Sequence, residues 1–176
     1  LLLRSFGAGA AFRPTIWLAR AIYERRDNPQ LVLQLLDAEL RTGQRPRVQA
    51  ALLRQQARVL WLRLGQTRAA QDKLGEALAL AEDDLITLKL LHVLQAAVGD
   101  AEARGRTVAR LIGQLPEGPW RTALRVDEAL VQSSHDPAGA VEALLAAERA
   151  EPGSFSLQLW IELLCERAGD HAQLVE

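Results

Sequence analysis

The sequence predicts an all-α protein built from repeated helical hairpins, and three observations lead to that prediction. Ala and Leu supply 29 and 33 of the 176 residues, whereas Val, Ile and Thr together supply only 21; this balance favours helices over strands. Short turn signals recur along the chain at intervals close to 34 residues. Between these signals, apolar residues follow the three- and four-residue spacing of one helical face.

The turn signals are pairs of residues that can end one helix and start the next. They are Arg26-Asp27, Gly65-Gln66, Gly99-Asp100, His135-Asp136 and Gly169-Asp170, at intervals of 39, 34, 36 and 34 residues. Glycine, or another residue that adopts a left-handed backbone, closes a helix, and Asp at the next position caps the following helix with its carboxylate. Each pair therefore predicts the turn of one hairpin.

The second helix of each hairpin indicates how the repeats pack. Counted from the first residue of each signal, the fifth positions are Leu31, Ala70, Arg104, Ala140 and Leu174, and the ninth are Leu35, Leu74, Val108 and Leu144. Small residues let two helix backbones approach closely, and larger apolar residues fill the gap between them. Arg104 departs from this pattern. Asp127 departs as well, because it stands eight positions before its signal, where the other repeats have an apolar residue.

These positions resemble the tetratricopeptide repeat (TPR) family and its TPR-like relatives. The best match is HDPAGAVEALLAAERAEP, with Asp136, Ala140, Leu144, Ala147 and Pro152 at family-like places; a second is LGQTRAAQDKLGEALALAE. The resemblance implies a right-handed α-α superhelix, or solenoid, of about four and a half repeats. The expected segments are an irregular or preceding element at 1–12 and repeats at 13–46, 47–83, 84–118, 119–153 and, incomplete, 154–176. The rival interpretation is an ordinary helical bundle with evenly spaced loops.

Signals for catalysis and metal binding are weak. His92, His135 and His171 are far apart, and no two have the i, i+4 spacing of a helical metal site. Cys165 stands at a core position without a nearby His, which predicts a buried thiol rather than a nucleophile. No phosphate-binding or nucleophile motif occurs in the sequence. We therefore predict that the protein is not an enzyme and uses no cofactor or metal.

The resemblance also implies where a partner binds, because the first helices of TPR-like hairpins line a concave surface. By analogy with the family, residues ten, six, three and two positions before each signal point into this groove, Ile16 and Ala129 among them. The candidate partner-binding residues are Arg20, Tyr23, Gln55, Arg63, Lys89, Arg125, Gln132 and Arg167. Five of these eight are basic, although the chain carries a net charge of -1. A mildly basic groove with apolar patches suits an acidic peptide or protein; alternatively, these side chains form an ordinary solvated face.

The predicted function is a non-catalytic scaffold or adaptor that binds a protein or peptide partner in the groove. The alternative is a regulatory or spacer module of a larger enzyme, secretion or envelope machine, or transcription regulator. Base-by-base RNA recognition by related helical repeats is disfavoured by the near-neutral charge, so no nucleic-acid partner is expected. No stretch has the roughly 18 apolar residues of a spanning helix, so no membrane insertion is expected.

The composition and the ends of the chain set the remaining expectations. No methionine occurs, even at position 1, which indicates a processed chain or a piece of a longer protein. The 19 Arg against 2 Lys indicate a GC-rich, bacterial genome, and the compartment stays open between cytoplasm and periplasm. The last repeat stops soon after its first helix, whose apolar face includes Leu159 and Leu163. We expect a continuation of the chain to cover that face; the alternative is another chain, through self-association.

Overall fold

Nine α-helices and the short turns between them make up the part of the protein that the structure describes. This computed structural model describes residues 13–168. The helices are α1 (Arg13–Arg25), α2 (Pro29–Leu40), α3 (Pro46–Leu64), α4 (Thr67–Leu80), α5 (Leu85–Val98), α6 (Ala101–Gln114), α7 (Pro119–Gln132), α8 (Pro137–Ala150) and α9 (Phe155–Ala168). No strand occurs between residues 13 and 168, as the composition predicts.

The chain falls into two compact units that divide after Leu94, within α5. In unit 1, α1 packs on α2, α2 on α3, and α3 on α4. In unit 2, α6 packs on α7, α7 on α8, and α8 on α9, with a further contact between α7 and α9. Helices inside each unit therefore pack in sequence order, which is typical of repeated hairpins.

Most turns are built by the residues that the sequence singles out. Gly65 and Gly99 adopt left-handed backbone after α3 and α5, with φ of 65° and 74°. Asp100 and Asp136 cap α6 and α8, where each carboxylate accepts a hydrogen bond from the backbone N–H three residues later, at 3.0 and 2.9 Å. These contacts satisfy donors that would otherwise have no partner in the first turn of each helix. The fifth turn signal and Leu174 lie outside the described residues.

The turn between α1 and α2 is shifted by one residue from the prediction. Asp27 is the expected cap of α2, but it adopts left-handed backbone with φ of 53°. Asn28 is the cap instead, and its Oδ1 accepts a hydrogen bond from the N–H of Leu31 at 3.1 Å. Asp tolerates left-handed backbone better than most residues do, so Asp27 ends α1 in the way that Gly65 ends α3. The Asp27 carboxylate is therefore not used as a helix cap.

Apolar clusters fill the space between the helices of each unit. One cluster of unit 1 joins α3, α4 and α5 through Ala57, Leu60, Ala70, Leu74 and Leu94. One cluster of unit 2 joins α7, α8 and α9 through Val126, Ala129, Ala140, Val141, Leu144, Ala147, Leu157, Ile161, Leu164 and Cys165. The fifth and ninth positions of the second and fourth repeats are fully buried in these clusters. The predicted packing face of α4 and α8 is thus confirmed.

Candidate partner-binding cleft

Unit 1 contains an open cleft between α1 and α3, the first helices of two successive hairpins. Its volume is about 490 Å³. It is lined by Arg20 and Glu24 of α1, Leu36 of α2, and Gln55, Arg58, Val59, Leu62 and Arg63 of α3. We call this feature the α1–α3 cleft. It includes three of the predicted site residues, Arg20, Gln55 and Arg63.

The spacing of side chains along α3 explains the surface of the cleft. Gln55, Val59 and Leu62 are separated by four and three residues, which places them on one face of the helix. The opposite face of α3, with Leu53 and Leu60, is buried in apolar clusters of unit 1. Leu62 is 60% exposed, so its side chain offers apolar surface to a ligand rather than to the core.

Arg20 lines the cleft, but carboxylates neutralise its charge. Its Nη1 lies 2.9 Å from Oε2 of Glu39 on α2, and both side chains are nearly buried. Its Nε lies 3.9 Å from Oε1 of Glu24 on the same helix. A guanidinium held between two carboxylates has little capacity left for a third. Arg20 therefore mainly joins α1 to α2.

Arg63 is also paired, but its pair is open to water. Its guanidinium contacts the carboxylate of Asp27 in the α1–α2 turn, and the two side chains are 47% and 77% exposed. Exposed ion pairs contribute little to stability and are readily exchanged. Next to Arg63, the half-buried Tyr23 lines a small hollow of about 30 Å³ and packs against apolar clusters formed by α1, α2 and α3. Tyr23 thus supports the edge of the cleft.

Arg58 is the cation of the cleft for which residues 13–168 provide no ion-pair or hydrogen-bond partner. Its side chain is exposed on α3. Arg58 is not among the residues predicted from the sequence, because the TPR-like pattern assigns its position to packing between helices. The sequence nevertheless contains a sign of this role, because the TPR family has a small residue at the position where this chain has Arg58. A charged side chain at a packing position would have identified Arg58 as a candidate binding residue.

The other predicted site residues lie outside this cleft. Lys89 is exposed on α5 in unit 1. In unit 2, the Arg125 Nη2 lies 3.3 Å from Oε1 of Glu117. The side-chain amide of Gln132 donates a hydrogen bond to the Asp136 carboxylate at 3.4 Å. Arg167 is exposed on α9.

Ile16 and Ala129 are fully buried, so the prediction that they point into the groove is wrong. The helix position that the family rule assigns to the groove faces the core at these two residues. Each joins an apolar cluster with side chains of the neighbouring second helix.

The other side chains that the sequence singles out as possible reactive groups are histidines and a cysteine. Cys165 is buried, as predicted, and His135 is exposed in a turn; His171 lies outside the described residues. Within residues 13–168, no three His, Cys, Asp or Glu side chains are grouped so that they could hold a metal ion. None of the helices in that part of the chain is both long and apolar enough to cross a membrane.

Solved structures share the architecture of this chain. A crystal structure of MamA protein matches with a TM-score of 0.64 at 15% identity, covering 93% of this chain and 86% of that chain. MamA from Desulfovibrio magneticus RS-1, from residue 41 to its end, gives 0.63 at 14% identity over 92% and 88%. A protein of Podosopora anserina classed as a kinesin light chain, with nearly identical TPR-like repeats, gives 0.61 at 16% identity over 91% and 88%. The chain has a TPR-like fold.

The TPR-like fold confirms the predicted class, an all-α solenoid of helical hairpins, and removes the rival interpretation of an ordinary bundle. At these identities the likeness concerns the fold alone. No family model matches the sequence, and no curated protein matches it. In TPR-like terms, α1 and α3 are first helices, so the α1–α3 cleft lies on the first-helix side of unit 1.

Proposed function

We propose that the protein is a non-catalytic interaction module that binds an extended, acidic segment of a partner protein in the α1–α3 cleft. The observation that carries this proposal is the presence, in one cleft, of exposed apolar surface at Leu62 and of the uncommitted guanidinium of Arg58. Apolar surface supplies binding free energy, and a few placed polar groups fix the orientation of a ligand.

The two features define the chemistry of the partner. Side chains of an extended peptide alternate between two sides, so one set can meet Val59 and Leu62 while the other meets the rim. A carboxylate suits Arg58, because the planar guanidinium can donate two parallel hydrogen bonds to it. The volume of about 490 Å³ lies within the range of known ligand pockets, roughly 300–1,000 Å³. A short stretch of peptide therefore fits the cleft.

The fold supports the same proposal. Stacked helical hairpins present extended surfaces that are commonly used to bind other proteins, and solved structures similar to this chain include a protein with TPR-like repeats. The chemistry of the cleft suits a partner with an extended segment in which acidic and apolar residues alternate.

The test is fluorescence polarisation with two labelled octapeptides that are blocked at both ends. In the acidic probe Leu and Glu alternate, and in the neutral probe Leu and Gln alternate. We expect the acidic probe to bind more tightly than the neutral one. Arg58→Glu should weaken acidic-probe binding at least tenfold, because a hydrogen bond to a charged group contributes about 1.5–3 kcal/mol. Leu62→Asn should weaken the binding of both probes.

Arg68→Glu is the matched control, since Arg68 is an exposed arginine of unit 1 on α4, outside the cleft. It changes the net charge by the same amount and should leave the affinity unchanged. The proposal fails if neither probe binds at millimolar concentration, or if Arg58→Glu and Arg68→Glu have the same effect.

A second candidate function, a spacer or regulatory module of a longer protein, is favoured by α9. Phe155, Leu159 and Leu163 follow one another at four-residue intervals and are 75%, 43% and 44% exposed. Such an apolar stripe is suited to packing against another helix. Light scattering distinguishes two origins of that helix. A dimer that Leu159→Asn converts to monomer indicates self-association, whereas a monomer at high concentration favours a covering segment of a longer chain.

A further inference from the structure

The backbone of the α1–α2 turn brings an acidic side chain to the edge of the α1–α3 cleft. Asp27 is, within residues 13–168, the one residue other than glycine with a positive φ, 53°. The N–H of Asn28 donates to the carbonyl of Tyr23 at 3.1 Å and closes the turn. Because Asn28 takes over the capping of α2, the Asp27 carboxylate is available to Arg63, and the two side chains form an ion pair.

The acidic and basic groups of the cleft almost cancel in the unliganded protein. Arg20 is neutralised by Glu39 and Glu24, and Arg63 is neutralised by Asp27. A single acidic group of a partner can thus reach Arg58 without displacing anything. A second acidic group would bind Arg63, but the guanidinium of Arg63 is already paired with the Asp27 carboxylate.

The positions of the two arginines suit a ligand with more than one acidic group. Arg58 and Arg63 are five residues apart on α3, which is about 7.5 Å along the helix axis and about 140° around it. They therefore flank the face formed by Gln55, Val59 and Leu62, and both line the cleft. An extended segment on this face that carries more than one acidic residue can bring one carboxylate to each guanidinium.

We propose that Asp27 is an internal competitor for the second acidic group of the partner: its carboxylate holds Arg63 in the unliganded protein and leaves when the partner's carboxylate arrives. This inference rests on the proposed function of the cleft. The exchange is feasible because both side chains are largely in water, where an ion pair is held weakly. Asp27 thereby sets the selectivity of the cleft, since a segment with one acidic group gains nothing from Arg63.

The experiment compares the acidic and neutral octapeptides on Asp27→Asn. Asparagine has nearly the same shape and also tolerates left-handed backbone, so the turn is kept while the negative charge is removed. We expect the acidic probe to bind about threefold to fivefold more tightly than to the wild type, a change of the size that an exposed ion pair can produce. Binding of the neutral probe should not change. Asp27→Gly, which also suits the positive φ, should give the same gain.

Asp83→Asn is the matched control. Asp83 is as exposed as Asp27, lies in the same unit, and forms its own pair with Arg47 at 4.0 Å, away from the cleft. Its loss of charge should leave acidic-probe affinity unchanged. In an Arg63→Gln background, the gain from Asp27→Asn should disappear, because the site for which Asp27 competes is gone.

The outcomes separate this inference from the proposed function. If the wild type binds the acidic probe but Asp27→Asn brings no gain, the internal competitor is rejected and the binding cleft stands. A gain that Asp83→Asn reproduces, or that persists with Arg63→Gln, likewise rejects the competitor, because it reflects net charge alone. If neither wild type nor variants bind the probe, the proposed function itself is rejected.

Discussion

Two junctions of unit 2 occupy equivalent places in the repeat but differ in chemistry. Where α8 meets α9, Ala140 and Ile161 are buried in one apolar cluster. The same two repeat positions, five residues after one turn signal and eight before the next, hold Arg104 and Asp127 where α6 meets α7. There the Arg104 Nε donates to Oδ2 of Asp127 at 3.0 Å, and Nη2 contacts Oδ1. Charge replaces apolar contact without changing which helices pack.

The difference shows that the same two repeat positions can hold either an apolar contact or a charged pair that requires one specific partner. The Arg104 and Asp127 side chains are 25% and 21% exposed, so most of their hydration is lost and the attraction between them must offset that loss. A bidentate pair meets this requirement only when both partners are present. Ala140 and Ile161 gain from burial and would tolerate other apolar neighbours. The α6–α7 junction therefore depends on one specific pair of side chains. The α8–α9 junction is stabilised by apolar burial and depends less on the identity of each neighbour.

The largest predicted effect compares the apolar residues at the ninth position of α8 and α6. Leu144 and Val108 are both fully buried. Leu144→Ala should lower the free energy of unfolding by about 2–5 kcal/mol, because it removes three buried carbons and leaves a cavity. Val108→Ala removes two and should cost about two thirds as much. Urea unfolding followed by circular dichroism measures both.

Leu18→Ala, at an exposed site of α1, is the control and should change the free energy of unfolding by less than about 0.5 kcal/mol. Equal losses for Leu144→Ala and Val108→Ala would contradict the expectation that the loss follows the number of buried carbons removed.

The second prediction removes the charged pair one partner at a time. Asp127→Leu should destabilise the protein by about 1–3 kcal/mol, because it leaves the partly buried guanidinium of Arg104 without its carboxylate. Adding Arg104→Ala restores the apolar pattern of the other repeats and should recover most of that loss. A double-mutant cycle in urea should therefore give a coupling of about 1 kcal/mol or more. Strictly additive effects would show that the pair contributes nothing to the junction.

The repeat itself could be predicted from the sequence because it depends on periodic and local signals. The turn glycines, the caps at Asp100 and Asp136, and the small residues at Ala70 and Ala140 each act within a few residues of chain. Such signals can be recognised in the sequence without knowledge of the fold. For this reason the TPR-like class could be predicted, while no detail of the cleft's charge balance could.

Side-chain pairing was harder to predict, since it depends on neighbours far along the chain. Arg104 and Asp127 stood out separately as departures from the pattern, and their pairing follows only when the two positions are known to meet. Arg20 was predicted as a groove cation, yet the structure pairs it with Glu39, nineteen residues away. Arg58 was missed because the family pattern assigns its position to packing. The position of a residue in the repeat thus predicts where its helix lies better than it predicts which partner a long side chain contacts.

The smallest predicted effect concerns Glu128, which follows Asp127 on α7 but has no comparable bidentate pair within the described residues. Burial raises the pKa of the Glu128 carboxyl, and the nearby charge of Arg125 partly opposes that rise. A carboxyl whose pKa is higher in the folded than in the unfolded state binds its proton more tightly when folded. Its ionisation therefore lowers stability as the pH rises past its ordinary range, near 4.3.

Glu128→Gln should accordingly raise the melting temperature slightly at pH 7, and the gain should shrink as the pH is lowered to about 4, where the wild-type carboxyl is protonated. Glu162→Gln is the matched control, because Glu162 has the same repeat position on α9 and is exposed; its melting temperature should follow the wild type at both pH values. A loss of stability in Glu128→Gln at pH 7 would mean that Arg125, rather than burial, dominates at this site. The α7 helix would then gain from both of its adjacent carboxylates, and the contrast with the apolar α8–α9 junction would rest on more than the Arg104–Asp127 pair.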